Sequence, residues 1–163
     1  MNADEVFRYG HLTLLEVLDG LPDDEWDIPG ACGVWSVKDI VAHLASYELA
    51  TADVFACLLG EGSTPVLDLL LAEGERFNDA QVRQRQAQRA WETMDEYRAA
   101  HERAARLLAQ IPVARRREAG LLPWYGAEYD LEDLIAYMSY GHKREHSAQI
   151  ALFRDRQGGR LVT

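Results

Sequence analysis

Only two cysteines, Cys32 and Cys57, occur among the 163 residues. They have neither CxxC spacing nor the density of a secreted disulfide scaffold, which favours a reduced, cytoplasmic setting and leaves a bridge between them unneeded. Positive charge is also scarce: 17 Lys and Arg stand against 27 Asp and Glu, a formal net charge of -10. Nucleic acid phosphates and anionic membrane surfaces would be approached against long-range repulsion, so neither is an expected partner. No apolar run approaches the ~20 residues of a membrane helix, and the opening MNADEVFRYG lacks the charged-then-apolar order of a signal peptide. Strand-like alternation never lasts beyond a few residues, and repeats and low-complexity tracts are missing. What is present is 48% hydrophobic residues, enough for one core and too few for two comfortable domains. Residues 1–163 are therefore expected to form a single globular domain.

The apolar residues recur with helical period. Over 3–19, Val6, Tyr9, Leu12, Thr13 and Val17 are spaced by three and four, with Leu14, Leu15 and Leu18 widening the stripe. Glycines and prolines then mark 20–35 as a loop carrying Trp26 and Trp35. Ser36, with Asp39 three positions on, is an acidic relative of the capping box and starts a helix over 37–59. GEGSTP breaks it, and Pro65 suits the first turn of a short helix over 65–71. The polar stretch RFNDAQVRQRQ bridges into, or begins, a helix over 87–110 whose face is Trp91, Met94, Tyr97, Ala104, Leu107 and Leu108. Pro112 ends it. Asp130 caps a last helix running through Arg156, with Gly158 and Gly159 as its stop. Four long helices predict an all-α four-helix bundle. Its connections exceed the usual ~2–8 residues of such bundles, which suits them to lining a pocket at one end.

The chemistry concentrates in histidines. His142 and His146 are four apart in GHKREHSAQI, on a face shared with Ile135, Met138, Glu145, Gln149 and Phe153. Side chains at i and i+4 on a helix are neighbours, close enough for two imidazoles to reach one metal ion. HxxxH alone is also what a wet helix face yields by chance. His43 alters the balance, because Ile40, His43, Tyr47, Ala50 and Val54 recur at three and four and turn it toward the bundle interior. Three buried imidazoles need partners for their nitrogens; a divalent ion taking one nitrogen from each satisfies all three and leaves a coordination position open. Their remaining ring N–H groups need acceptors, for which Glu48, Glu145 and Gln149 are near in sequence. His101, among Ala99, Ala100, Glu102 and Arg103, is expected on a solvated face, and His11 is left outside the set as well.

GVWSVKDIVAHLASYE, RFNDAQVRQRQ and YGHKREHSAQI together resemble the DinB-like superfamily of four-helix-bundle metalloenzymes. Trp35, Ser36, Asp39 and His43 match its Trp-Ser-x-x-(Asp/Glu)-x-x-x-His pattern, and His142 with His146 match its His-x-x-x-His. With Phe77 and Asn78, the chain is most similar to the branch labelled ClbS/DfsB-like. The resemblance implies up-down-down-up topology, a homodimer, and zinc or nickel held by His43, His142 and His146. Relatives transfer thiols, isomerise with a thiol cofactor, or hydrolyse strained electrophiles, so a low-molecular-weight thiol is an implied second cofactor for which no matching residues are found.

A metal of this kind activates a bound water or thiol. The expected reaction is hydrolysis or S-transfer on a small electrophilic substrate, serving detoxification or stress resistance. Tyr47, Glu48, Asn78 and Glu145 are the candidate catalytic side chains, with Trp124 or Tyr125 as pocket wall. The arginine-rich VRQRQAQR and ARRRE are either a solvated face or an attraction for a carboxylated substrate. The competing reading is a non-catalytic ligand-binding or stress-response bundle, with the metal as a staple or with no metal at all.

Overall fold

A computed structural model describes residues 1–158, so the expected stop at Gly159 lies outside the described residues. Among those residues the protein is helical, with no strand beyond one isolated bridge between Cys32 and Trp35. The elements are α1 (Ala3–Leu18), α2 (Val37–Leu58), α3 (Pro65–Glu73), α4 (Glu75–Gln84), α5 (Ala90–Leu108), α6 (Val113–Arg116), α7 (Leu131–Leu134), a π-helical segment (Ile135–Gly141) and α8 (His142–Gly158). The last three are continuous and form one bent rod.

The bundle is α1, α2, α5 and the α7–π–α8 rod. Helix α2 packs mainly on α5, α1 packs on α8 and the π segment, and α2 with α8 touch only lightly. Helices α3 and α4 lie against α2. The stretch 76–86, expected to bridge into or begin the third long helix, is a separate helix, and α5 starts later than expected, with Arg89 N donating to Glu92 Oε2 at 2.7 Å at its first turn. At α2 the anticipated box forms: Asp39 N donates to Ser36 Oγ at 3.1 Å and Ser36 N donates to Asp39 Oδ2 at 2.9 Å. Such caps stabilise a helix by ~0.5–2 kcal/mol; this one also fixes the phase of α2 two turns before His43.

Helix α2 is buried on nearly every side. By length and composition it is apolar enough to cross a membrane, contrary to the expectation from the sequence, but 83% of its most apolar window is covered by the other helices. It is the core helix. Two apolar clusters flank the middle of the bundle. One gathers Phe7, Phe55, Ala104, Leu108, Ile111, Leu131 and Ile135; the other Leu14, Ile40, Leu44, Tyr97, Ile150 and Phe153. Each fully buried large side chain contributes ~1.5–3 kcal/mol, so these clusters carry the fold. Between them, at one level, every long helix supplies polar side chains.

Several faces differ from the sequence pattern. In α1 the buried line is Ala3, Phe7, Gly10, Leu14 and Leu18, while Tyr9 is half exposed. Gly10 explains the shift: a Cβ there would lie 3.1 Å from Tyr140 Cα, so its absence lets α1 close onto the rod. Trp91 is 60% exposed rather than in the core, whereas Met94, Tyr97, Ala104, Leu107 and Leu108 are buried as expected. The arginine-rich stretches are neither plain solvated faces nor a substrate lure throughout. Arg116 is buried, donating to the Leu108 and Ile111 carbonyls and to Asp4, so it ties the end of α5 to α1. Arg85 is buried against Glu96 and Gln81.

Candidate metal centre

His43 comes from the middle of α2, and His142 and His146 from the first turns of α8. The three rings converge: His43 Nε2 lies 2.9 Å from His142 Nε2, which lies 3.1 Å from His146 Nε2. Four-coordinate zinc at ~2.0–2.1 Å from each nitrogen needs ligand atoms separated by only a little more than this. The candidate ligand atoms lie within 4.8 Å of one another, and the described residues contain no other such group of three.

The protonation state of the rings leaves them free to ligate. Burial, with the neighbouring rings of His142 and His146, drives His43 to a pKa of about 2. Burial and His146 bring His142 to about 4, and burial lowers His146 despite Gln149. All three are neutral at pH 7, the form that ligates metal. Gln149 Oε1 accepts from His146 Nδ1 at 2.8 Å, and the Met138 carbonyl accepts from His142. With those ring protons so placed, the Nε2 atoms of His142 and His146 face each other as bare lone pairs 3.1 Å apart. A divalent ion held by these rings would turn that repulsion into coordination. The donor set fits a divalent metal such as zinc or nickel.

Of the three expected acceptors, only Gln149 serves the cluster. His43 Nδ1 is buried with no hydrogen-bond partner in the protein, although Trp35 packs against its ring at 5.1 Å between centroids. That contact gives the Trp at the head of the Trp-Ser motif a physical purpose.

Beside the cluster lies a cavity of about 530 Å³ lined by Tyr47, Ala136, Tyr137, Met138, Gly141, His142 and Glu145. Its walls are helices and the π segment, not the long connections expected to line it. Trp124 lies beyond, with Tyr47 and Met138, around a separate small hollow, and Tyr125 packs edge-on against Trp124 and at a tilt against Tyr129. The π segment was not foreseen. Its wide turns end at His142, a placement common for π-bulges beside functional sites. Gly141 accommodates it, since a Cβ there would stand 3.2 Å from the Ala136 carbonyl five residues earlier.

The candidate catalytic side chains separate into two groups. Tyr47 and Glu145 line the cavity, and Asn78, reaching from α4, accepts from the Tyr47 hydroxyl at 3.1 Å. Burial raises the Tyr47 pKa against that hydrogen bond, so the phenol keeps its proton. Tyr47 also packs on the rings of His43 and His142, each 4.7 Å away. Glu48 does not join them. It is 2% exposed and points to the opposite side of α2, where Lys143 Nζ is 2.5 Å from Oε1 and His101 Nδ1 is 3.0 Å from Oε2. Burial alone would raise Glu48; Lys143 and His101 outweigh it and hold the carboxyl at about 2.

His101, expected on a solvated face, is 6% exposed. His11 stacks on it at 3.9 Å between centroids and meets the Tyr97 hydroxyl at 3.0 Å through Nδ1. The spacing in the sequence carried a signal: His101 is four residues beyond Tyr97 and three before Ala104, both in the face assigned to the core.

Helical bundles that gather three neutral imidazoles from two helices beside an open cavity form a class of metal-binding proteins. A family model described as the DinB superfamily matches residues 10–150, a span that includes all three histidines. The chain belongs to the DinB superfamily. Searches of curated proteins and of solved structures returned no significant match.

Proposed function

We propose that the protein is a metal-dependent enzyme acting on a small electrophile, and that the metal is catalytic. The observation that carries this reading is the cavity: His142 forms part of its wall, so a metal held by the three histidines would stand beside open space that a substrate could enter. Zinc or nickel bound there supplies a Lewis acid that makes a water or a low-molecular-weight thiol nucleophilic near neutral pH. The chain's own residues do the rest. Met138, Tyr137 and the ring of Tyr47 give the substrate apolar walls, and Asn78 fixes the Tyr47 hydroxyl. Glu145 takes the nucleophile's proton and returns it to the leaving group. The electrophilic carbon gains a bond to oxygen or sulfur and loses the bond to that group, which departs with the electron pair.

This reading includes up-down-down-up topology, one domain over 1–163, a homodimer, a cytoplasmic location, a small-molecule partner without nucleic acid or membrane, and placement near the ClbS/DfsB-like branch. Family membership supports the bundle and the homodimer, Phe77 and Asn78 the branch, and the two cysteines and net charge of -10 the location and partners. Phe77, fully buried, packs on Tyr47 at 5.8 Å, which gives the pair a reason to occur together.

Elemental analysis of untagged protein tests the reading: about one transition-metal ion per chain, absent from His43→Ala, is expected. Loaded protein is then assayed on epoxide and activated-ester panels with and without added thiol. Turnover without thiol assigns hydrolysis and turnover only with thiol assigns transfer. Absence of metal after incubation with zinc and nickel would overturn the proposal.

A further inference from the structure

We infer that Glu48 and Lys143 are positioning residues for the metal centre: their buried ion pair sets the rotation and axial register of α8 against α2, so that His142 and His146 meet His43. This rests on the metal reading above and goes beyond it.

The problem they solve is geometric. The ligands come from two helices that touch only lightly, since α2 is packed mainly on α5 and α8 on α1. A slip of one residue along an α-helix moves a side chain by ~1.5 Å and turns it through ~100°. Either change would carry an imidazole out of a coordination sphere with bonds of ~2.0–2.1 Å. Apolar packing tolerates such slips better than coordination does, because hydrophobic attraction is not directional.

The Glu48–Lys143 bridge lies at the right level. Glu48 is five residues beyond His43 on α2, and Lys143 is the neighbour of His142 on α8. The two charged groups are 2.5 Å apart with side chains 3% and 2% exposed. Both ends are further constrained. The second oxygen of Glu48 is taken by His101 of α5 at 3.0 Å. The Lys143 ammonium stands over the Phe7 ring of α1 at 4.6 Å, and Phe7 stacks on His101 at 4.7 Å. All four bundle helices are therefore keyed to one carboxylate. Gly10 lets α1 approach the rod here, since a Cβ would stand 3.1 Å from the backbone of Tyr140, three residues before Lys143. A buried pair of charges costs much of its attraction in lost hydration and is a poor source of net stability. What apolar residues at these positions lack is the fixed short distance between two particular groups, one on each helix, with the carboxylate also tied to α5 by the His101 hydrogen bond.

The test measures cobalt(II) affinity and the visible spectrum of the cobalt-loaded protein, alongside the melting temperature of the metal-free form. Two variants are used: Glu48→Asp, which keeps the charge on a shorter arm, and the double variant Glu48→Met with Lys143→Met, which removes both charges and fills the volume. Both are read below their melting temperatures, and either one, if folded, decides. We expect cobalt affinity to fall ~10-fold or more with an altered ligand-field spectrum, even where the double variant melts no lower than wild type. Unchanged affinity and spectrum in a folded variant overturn the inference while leaving the metal centre intact. Failure of wild type to bind cobalt, zinc or nickel overturns the metal reading itself.

Discussion

Two polar clusters share the middle of this bundle, and they solve burial in opposite ways. The Glu48–Lys143–His101 cluster is closed: its carboxylate and ammonium are sealed, and the charges answer each other within the protein. The His43–His142–His146 cluster is open on one side, beside a cavity of about 530 Å³, and consists of neutral rings whose Nε2 atoms converge at 2.9 and 3.1 Å. Opposite charges paired within the protein mark structure; neutral bases converging beside a cavity mark a place for a ligand. The same two helices feed both clusters, from different faces.

The sharpest way to break this contrast is to remove one member from each. Lys143→Met strands a buried carboxylate, and ~3–5 kcal/mol of stability should be lost in urea or thermal unfolding. His43→Ala in metal-free protein leaves no charge behind, so only ~1 kcal/mol, typical of an ordinary substitution, is expected. Equal losses from the two variants would mean the clusters do the same job.

Metal should reverse the ranking. Zinc at 100-fold above its dissociation constant stabilises wild type by ~2.7 kcal/mol, because it binds only the native state. His43→Ala should gain nothing, and a chelator should return wild type to the metal-free melting temperature. His101→Asn should lower the melting temperature yet still respond to zinc, although the sequence alone placed His101 in solvent. A zinc response retained in His43→Ala would sink the three-histidine site.

Why one cluster was legible and the other was not follows from how each is encoded. His43, His142 and His146 announce themselves through local spacing and a chemistry few residue types can perform. Ser36 and Asp39, through the cap they form, even fix where α2 begins. The closed cluster is assembled from residues distant in sequence, and its members look like surface residues until the helices are packed. Glu48 was legible as a carboxylate near the site, not as one facing the opposite side. Lys143 sits 2% exposed between Gly141–His142 and Arg144, where composition suggests solvent. The α1 face was misread because Gly10, which contributes no hydrophobicity, makes the closest approach. The π segment has no periodic signature at all; it widens a helix whose apolar spacing still suits 3.6 residues per turn.

Acid separates the clusters less strongly. Burial and the charges around it, from His101 and Lys143, hold the His11 pKa at about 4 despite Glu48. Its unfolded value is ~6.5. Between those values the unfolded chain binds more protons than the native one, so stability is complete above pH ~6.5 and falls as pH drops toward 4. The direction is opposite to that of a histidine gaining a salt bridge. In metal-free His11→Gln, unfolding curves across this window should have a shallower pH dependence than wild type. An unchanged slope would show that His11 titrates as it does in water.

The smallest effect is expected at the rim of the open cluster. The Tyr47 hydroxyl donates a hydrogen bond to Asn78 Oδ1, but it is only partly buried, so solvent can replace the lost partner when either side is removed. Tyr47→Phe should therefore cost no more than ~0.5–1.5 kcal/mol, and zinc affinity should stay unchanged, because the ring that packs on His43 and His142 remains. A double-mutant cycle with Asn78→Ala isolates the hydrogen bond from the ring packing. Weak coupling in stability together with a marked loss of turnover would place the hydroxyl in the chemistry of the cavity. Weak coupling in both would make Tyr47 a wall, holding the open side of the bundle apart as Lys143 holds the closed side together.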